Sequence, residues 1–227
     1  MFIGHFAVGF AAKRWAREAP LGVLLLAPVL LDVLWPVFCL IGIEQYRILP
    51  DGGPFTRLEF ISYPWSHSLA MSIVWGLLLG ALWRLRGGSG RTAAILAAAV
   101  VSHWVLDWVT HLPDLPLWPP RGPRLGLGLW NSVAGTVVVE SLMLAVGVWL
   151  YFSATRAKGH IGRIGPWAYL ALLATLYVAN VAGPPPPVGA ERLVSIVALA
   201  FVLLVPLASW IDSHREAGGR ARSPGSK

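Results

Sequence analysis

Residues 21–42 read LGVLLLAPVLLDVLWPVFCLIG, an apolar run whose only charged side chain is Asp32. A helix needs about 20 predominantly apolar residues to cross the hydrocarbon core of a bilayer, so this run predicts a membrane-spanning helix. Pro28 and Pro36 lie inside the run and are expected to kink it. Other stretches have the same character, which gives about six spans, at residues 21–42, 67–83, 92–112, 130–152, 166–182 and 191–211.

The composition of the whole chain is that of a membrane protein. Hydrophobic residues make up 56% of the 227 residues and charged residues only 13%, against about 25% charged in an average soluble domain. We therefore expect an all-α, polytopic transmembrane helical bundle, formed as a single domain by residues 1–212 and followed by a disordered cytoplasmic tail at 213–227. A short apolar helix at 2–12 spans only about 17 Å and cannot cross. No alternating strand pattern is evident along the chain.

The positive charge of the chain is arranged as a topology signal. The net charge is +7, and thirteen of the 18 Lys and Arg residues fall at 13–17, 84–91, 156–163 and 215–227. Cation-rich and cation-poor connections alternate, so the positive-inside rule places the rich connections and the C-terminus in the cytoplasm. The poor connections then face outward, at 43–66, 113–129 and 183–190. Short cationic runs between apolar spans indicate topology, and nucleic acid is not expected as a partner.

Seven ionisable side chains lie inside these apolar segments or at their ends. Such groups cost about 2.5–3.5 kcal/mol at a helix centre even on the mild insertion scale, so each is expected to have a function or a specific partner. They are His5, Asp32, His67, His103, Asp107, His111 and Glu140. Under the topology above they fall in the middle-to-outer half of the bundle, away from the cationic connections.

The sharpest local pattern is SHWVLDWVTH at 102–111, where His103, Asp107 and His111 stand four residues apart. Such positions share one helix face, and imidazole and carboxylate ligands on one face are typical of a metal site. Intramembrane carboxylates without Lys or Arg nearby need a proton or a metal to neutralise them. Zinc suits these ligands, with manganese or iron as alternatives. The candidates exceed the four ligands of one zinc ion, which leaves open a two-metal centre or one metal with supporting partners.

Each of these candidate residues also has a purely structural interpretation. His103 and Asp107 can hydrogen-bond each other and hold helices together. His5 can be a plain residue of the short helix, and His111 an interfacial cap beside Asp114. Ser66 is expected to cap the helix that follows it. The outer-loop carboxylates are interpreted as ordinary surface charges, namely Glu44, Asp51 and Glu59.

The order of several short motifs carries a family resemblance. GHFAVGFAAKR at 4–14, LLD at 30–32, WSHSL at 65–69, SHWVLDWVTH and a span with a central Glu140 follow one another. Together they resemble the YdjM-like inner-membrane proteins, a family described as metal-dependent hydrolases, over about residues 1–152. That family is distantly similar to zinc-dependent phospholipase C and the single-strand zinc nucleases, which are helical enzymes that cleave phosphate esters with a zinc cluster.

The resemblance implies a metal-dependent hydrolase of a bacterial-type inner membrane. His103 and Asp107 match the His-x-x-x-Asp pair among the family's ligands, and Asp32 with His67 loosely matches an Asp that precedes a His. The sequence departs from the pattern at three places. Only one carboxylate remains at APVLLD (27–32), YPWSHS (63–68) lacks its first His, and Thr136 replaces the His that would pair with Glu140. Fewer ligands imply fewer metals than a three-zinc cluster.

Two functions of different classes follow from these residues. In the first, a divalent metal held by His5, Asp32, His67, His103 and Asp107 activates water, and Glu140 or His111 acts as general acid or base. Its substrate is expected to be a membrane lipid, a phosphate ester or another lipid-linked small molecule, approached from the outer face. The alternative is a transporter or permease for a metal ion or protons, because intramembrane Asp, Glu and His also mark ion pathways. A purely structural membrane protein remains a third interpretation, and the sequence gives no oligomeric state.

Overall fold

The computed structural model describes residues 1–218, and they form a helical bundle with a few short strands, which confirms the all-α prediction. The helices are α1 (Ile3–Ala12), α2 (Leu21–Leu40), α3 (Pro64–His67), α4 (Leu69–Leu85), α5 (Gly90–Thr110), α6 (Val133–Ala154), α7 (Gly159–Ala182), α8 (Glu191–Ala200) and α9 (Leu204–Ser213). Short 3-10 turns precede α6 at Leu129–Asn131 and join α8 to α9 at Phe201–Leu203.

Five helical segments are long and apolar enough to cross a membrane, namely α2, α5, α6, α7 and the continuous run Glu191–Ser213. The remaining predicted span, 67–83, appears as α4, which has 17 residues and is the short member of the set. Large side chains point outward from these helices, since Leu77, Leu142 and Trp149 are 63%, 63% and 67% exposed. Such a surface is stable only against an apolar solvent, so the chain is a membrane protein.

The helix predicted at 166–182 begins earlier, at Gly159, and runs through Pro166. Proline has no N–H, so the carbonyl of Gly162, four residues before it, loses its helical partner. The guanidinium of Arg215 donates to that carbonyl instead. A distant arginine therefore satisfies the broken turn, and sequence periodicity could not reveal that contact.

The expectation of no strands was wrong in detail. β1 (Gln45–Ile48) and β2 (Leu58–Ser62) form an antiparallel hairpin in the connection between α2 and α3, and Tyr46 and Ile48 on β1 face the core. Two smaller antiparallel pairs also form, β3 (Leu115–Pro116) with β4 (Arg124–Leu125) and β5 (Thr155–Ala157) with β6 (Arg215–Ala217). The four-residue alternation in QYRI was the available signal, and it is too short to stand out among apolar spans.

Residues 213–218 are ordered, although the sequence assigned them to a disordered tail. Their order comes from the pairing of β6 with β5 and from the Arg215 side chain, which also donates to Thr155. The remainder of the predicted tail, 219–227, lies outside the described residues.

Contacts at the two ends of the bundle divide the connections between helices into the same cation-rich and cation-poor groups that the sequence predicted. At one end, Lys13 pairs with Asp212, Glu18 accepts from Ser89, and β5 pairs with β6. We call this the cation-rich end. At the other end, Arg57 donates to the carbonyl of Gly183 and Arg124 to that of Ile61. The three cation-poor connections therefore meet at the end opposite the cationic ones.

The short helix α1 is buried inside the bundle and packs between α2, α5 and α6. Two glycines allow its close approach. A Cβ added at Gly9 would lie 2.7 Å from the Leu24 carbonyl oxygen, which Pro28 leaves without a helical partner. A Cβ at Gly147 of α6 would lie 2.3 Å from the Ala7 carbonyl oxygen. Only glycine fits at these contacts, and together they fix the position of α1.

Candidate metal centre

His103 and Asp107 lie on the buried face of α5 and form the middle of the site. His103 is fully buried and Asp107 is 1% exposed. His103 Nε2 lies 2.9 Å from Asp107 Oδ2, but the two groups are not aligned for a hydrogen bond, so this nitrogen has no hydrogen-bond partner among the described residues. The other ring nitrogen, Nδ1, lies 2.7 Å from the carbonyl oxygen of Pro28 and donates to it.

The N-terminal helix brings a second imidazole against the first. His5 Nε2 lies 3.1 Å from Asp107 Oδ1, and its ring stacks on that of His103 with centroids 3.8 Å apart. Glu140 of α6 helps to hold this helix, because its Oε2 accepts from the backbone N–H groups of Phe2 and Gly4 at 2.8 and 3.0 Å. The carboxylate thereby caps the first turn of α1 and fixes the depth of His5.

Asp32 from α2 and His67 from α3 complete the cluster. His67 Nε2 lies 3.5 Å from Asp32 Oδ1, and the same oxygen lies 3.8 Å from His103 Nε2. His67 is buried, whereas the Asp32 side chain is 46% exposed because it lines a cavity. All five residues predicted as metal ligands are thus brought together from four helices, although their role as ligands stays a prediction.

The spacing of the ligand atoms fits a divalent ion. Zinc ligands lie about 2.0–2.2 Å from the metal, so two of them at a tetrahedral angle are about 3.4 Å apart. The contacts between an imidazole nitrogen and a carboxylate oxygen of the five residues range from 2.9 to 3.8 Å. Two groups have all their ligand atoms within 4.8 Å of one another, His5–His103–Asp107 and Asp32–His67–His103. Both use His103, whose Nδ1 is engaged by Pro28, so its single free nitrogen can serve only one ion.

His111 follows the last residue of α5 and lies at the edge of the cluster. Its Nε2 is 3.8 Å from Asp107 Oδ2, while its Nδ1 is 2.9 Å from Asp114 Oδ1. Tyr63 donates to the same Asp114 oxygen at 3.1 Å. Burial, reinforced by Asp114, raises the pKa of the Tyr63 phenol well above its usual range, so Tyr63 stays a donor. His111 is the C-cap residue of α5, in keeping with its structural interpretation, and its ring is also held by Asp114 and directed toward Asp107.

The Met1 backbone nitrogen also reaches the site, where it lies 2.6 Å from Asp107 Oδ1. No spacing pattern in the sequence pointed to this contact.

Two residues important to the site were misjudged from sequence. Glu44, expected to be a surface charge, is 1% exposed and accepts from the N–H groups of Trp65 and Ser66 at 2.8 Å each. Burial raises the pKa of the Glu44 carboxyl, and the hydrogen bonds from Ser66 oppose that rise. Ser66, expected to cap a helix, donates its hydroxyl to Glu44 and contacts His67 Nδ1; the cap of α4 is Ser68. No spacing pattern links Glu44 to a histidine 23 positions later, so only the folded chain reveals the contact.

A cavity of about 350 Å³ lies beside the cluster. Its polar wall holds Asp32, His67, Asp107, His111 and Glu140, and Arg57 from the hairpin connection also lines it. Much of the remaining wall is apolar and comes from α1, α2 and the segment α8–α9, with Phe6, Val29, Val33, Val194, Ala198, Phe201, Val202 and Val205. The volume is at the lower end of the range for small-ligand pockets. The cavity can therefore present an amphipathic molecule to the histidines and carboxylates.

Comparisons with known proteins give no relative: no family model matches the chain, no curated protein matches it, and no solved structure matches it.

Proposed function

We propose that this chain is a membrane-embedded, metal-dependent hydrolase of the YdjM-like type, with zinc as the expected ion and manganese or iron as alternatives. One observation carries the proposal. His67, His103 and His111 each have Nδ1 engaged by an oxygen outside the cluster, at 2.7, 2.7 and 2.9 Å, and each turns Nε2 toward Asp32 or Asp107. Engagement of one ring nitrogen orients the other as a ligand, which is the usual arrangement of metal-binding histidines.

A divalent ion in this cluster would acidify a water molecule and polarise a phosphoryl or carbonyl oxygen. The residues around it would bind, orient and move protons. Glu140 lines the same cavity as His111; it is held through Oε2, and its buried Oε1 has no hydrogen-bond partner among the described residues. Glu140 Oε1 or His111 Nε2 can take up a proton from the attacking water and return it to the leaving group.

The cavity supports a lipid-linked substrate, in particular a phosphate ester. Its apolar wall suits a hydrocarbon chain, and Arg57 also lines the cavity as a cation that can face an anionic group. The site lies in the half of the bundle away from the cation-rich end, so the positive-inside rule gives access from the outer face and a cytoplasmic C-terminus in a bacterial-type inner membrane. A fluorescent protein fused to the C-terminus, which fluoresces only in the cytoplasm, tests that orientation.

Transport of an ion or proton is the alternative that the sequence left open. On the cation-rich side of the site, the described core includes a packed apolar cluster with Phe10 and Leu25, both at most 1% exposed, and beyond it the buried Lys13–Asp212 pair. An ion that crossed the bundle would have to pass this packed layer, whereas the substrate of a hydrolase would only have to reach the site. Uptake of zinc into vesicles that contain the purified protein would favour transport.

Elemental analysis of the detergent-purified protein tests the metal site directly. We expect about one divalent ion per wild-type chain, since His103 can serve only one, and near none in the His103→Ala/Asp107→Ala variant. The matched control is His160→Ala/Asp51→Ala, which removes the same residue types from exposed positions outside the cluster. Equal metal content in all three proteins would refute the site. Metal loss in the first variant alone, together with loss of phosphate-ester hydrolysis, would support the hydrolase.

A further inference from the structure

Glu44, Ser66 and His67 form a continuous hydrogen-bonded chain that ends at the metal cluster. Ser66 Oγ lies 2.6 Å from Glu44 Oε2 and 2.7 Å from His67 Nδ1. All three residues are at most 4% exposed, so water does not compete for these groups. The chain begins in the connection after α2, passes through α3 and reaches Asp32 on α2.

The direction of the chain follows from counting protons. A serine hydroxyl has one hydrogen, and a carboxylate oxygen can only accept. The hydroxyl hydrogen of Ser66 therefore goes to Glu44, and Ser66 Oγ must accept from the N–H at His67 Nδ1. A neutral imidazole carries one ring proton, so His67 Nε2 is left with a lone pair directed at Asp32 Oδ1, 3.5 Å away.

We infer that Glu44 is a positioning residue that selects the Nε2-ligand tautomer of His67 through Ser66. The inference rests on the proposed metal site for its consequence, because only an unprotonated Nε2 can bind an ion. Its geometry does not depend on that site. A carboxylate that orients a ligand histidine commonly changes metal affinity by about 10–100-fold, and here the serine hydroxyl transmits its effect.

Glu44→Gln reverses the direction of hydrogen-bond donation from residue 44 through Ser66 to His67, without breaking the hydrogen bonds. The amide oxygen of glutamine still accepts from the backbone N–H groups of Trp65 and Ser66, which preserves the turn into α3. The amide NH₂ would face Ser66 Oγ and donate to it. Ser66 then donates its own hydrogen to His67 Nδ1, which at 2.7 Å is a nearer acceptor than the Tyr63 carbonyl oxygen at 3.5 Å, and the ring proton moves to Nε2. The fold is retained while the nitrogen facing Asp32 changes from a ligand to a donor.

The experiment combines histidine NMR with zinc affinity on the full chain in detergent. The protein has six histidines, so selective ¹⁵N labelling gives a spectrum in which a His67→Gln variant identifies His67. In metal-free wild type we expect the proton on Nδ1 of His67, and in Glu44→Gln on Nε2. The zinc dissociation constant should rise about 10–100-fold in Glu44→Gln. The zinc dissociation constant should rise likewise in Ser66→Ala, and it should be close to the wild-type value in Ser66→Thr, which keeps a hydroxyl at this position.

The matched control is Glu59→Gln, a glutamate of the same hairpin connection that pairs with Arg47 at the surface. It should leave both the tautomer and the zinc affinity unchanged. If His67 keeps its proton on Nδ1 in Glu44→Gln, the inference is wrong, whatever the zinc affinity. If the tautomer changes while wild type binds no zinc, the positioning role stands and the proposed function fails. A changed tautomer with unchanged zinc affinity would exclude His67 as a ligand and overturn the role assigned to Glu44.

Discussion

The contact between Gly147 and α1 offers a stringent test of how the site is assembled. The Cβ of Gly147→Ala would lie 2.3 Å from the Ala7 carbonyl oxygen, whereas ordinary contact begins at 3.4 Å, so α1 and α6 must separate by about 1 Å. Overpacking against backbone costs about 3 kcal/mol, and the better helix propensity of alanine returns about 1 kcal/mol. We expect a net loss of about 2 kcal/mol, which for a chain of this size lowers the unfolding midpoint by about 4–8 °C.

The same displacement should weaken binding of the proposed metal ion, because α1 carries His5, a proposed ligand, and metal–ligand distances tolerate only about 0.2 Å. Thermal unfolding and zinc competition in the same detergent measure the two effects, with zinc binding expected to weaken at least about tenfold. Gly90→Ala is the matched control, since it is also a helical glycine and its added Cβ meets nothing within 4 Å. Equal unfolding midpoints and equal zinc affinities in the two variants would refute this account of α1.

Two further predictions concern the cation-rich end. Lys13→Met removes the ammonium group that lies 2.6 Å from the buried carboxylate of Asp212, and should reduce the free energy of unfolding by about 3–5 kcal/mol in denaturant titrations. Adding Asp212→Asn to this variant should restore part of the lost stability. Strictly additive losses in the two single variants and the double variant would contradict the pairing. Hydrogen bonds from Ser89 lower the pKa of Glu18 below its ordinary value of 4.5, so their contribution is present above that value and is lost as pH falls through the lower folded pKa. The unfolding midpoints of wild type and Glu18→Gln should therefore differ at pH 7 and converge as the pH falls below 4.5, and a difference that widens in acid would show that Glu18 is not stabilised in this way.

The sequence by itself determined the membrane character of the chain and the main helices. An apolar run such as 21–42 has few alternatives to a helix, because lipid offers no partner for an unpaired backbone. It also identified the candidate residues, because placing an ionisable group in a membrane-spanning segment costs free energy and such residues are therefore rare. The i, i+4 spacing of His103 and Asp107 needed no tertiary information, because one helix sets it.

Only the tertiary structure decided which atoms meet. The position of His5 depends on the contact of Gly9 with α2 and on Gly147 and Glu140 of α6, and the two α6 residues follow His5 by more than a hundred positions. The role of Glu44 depends on how the connection after α2 folds back onto α3, and no sequence period reports such a contact. The engagement of His103 Nδ1 by Pro28, which limits that histidine to one ion, joins residues 75 positions apart. Local rules act over a few residues along the chain, whereas the tautomers and ligand distances of this site are set by packing between helices.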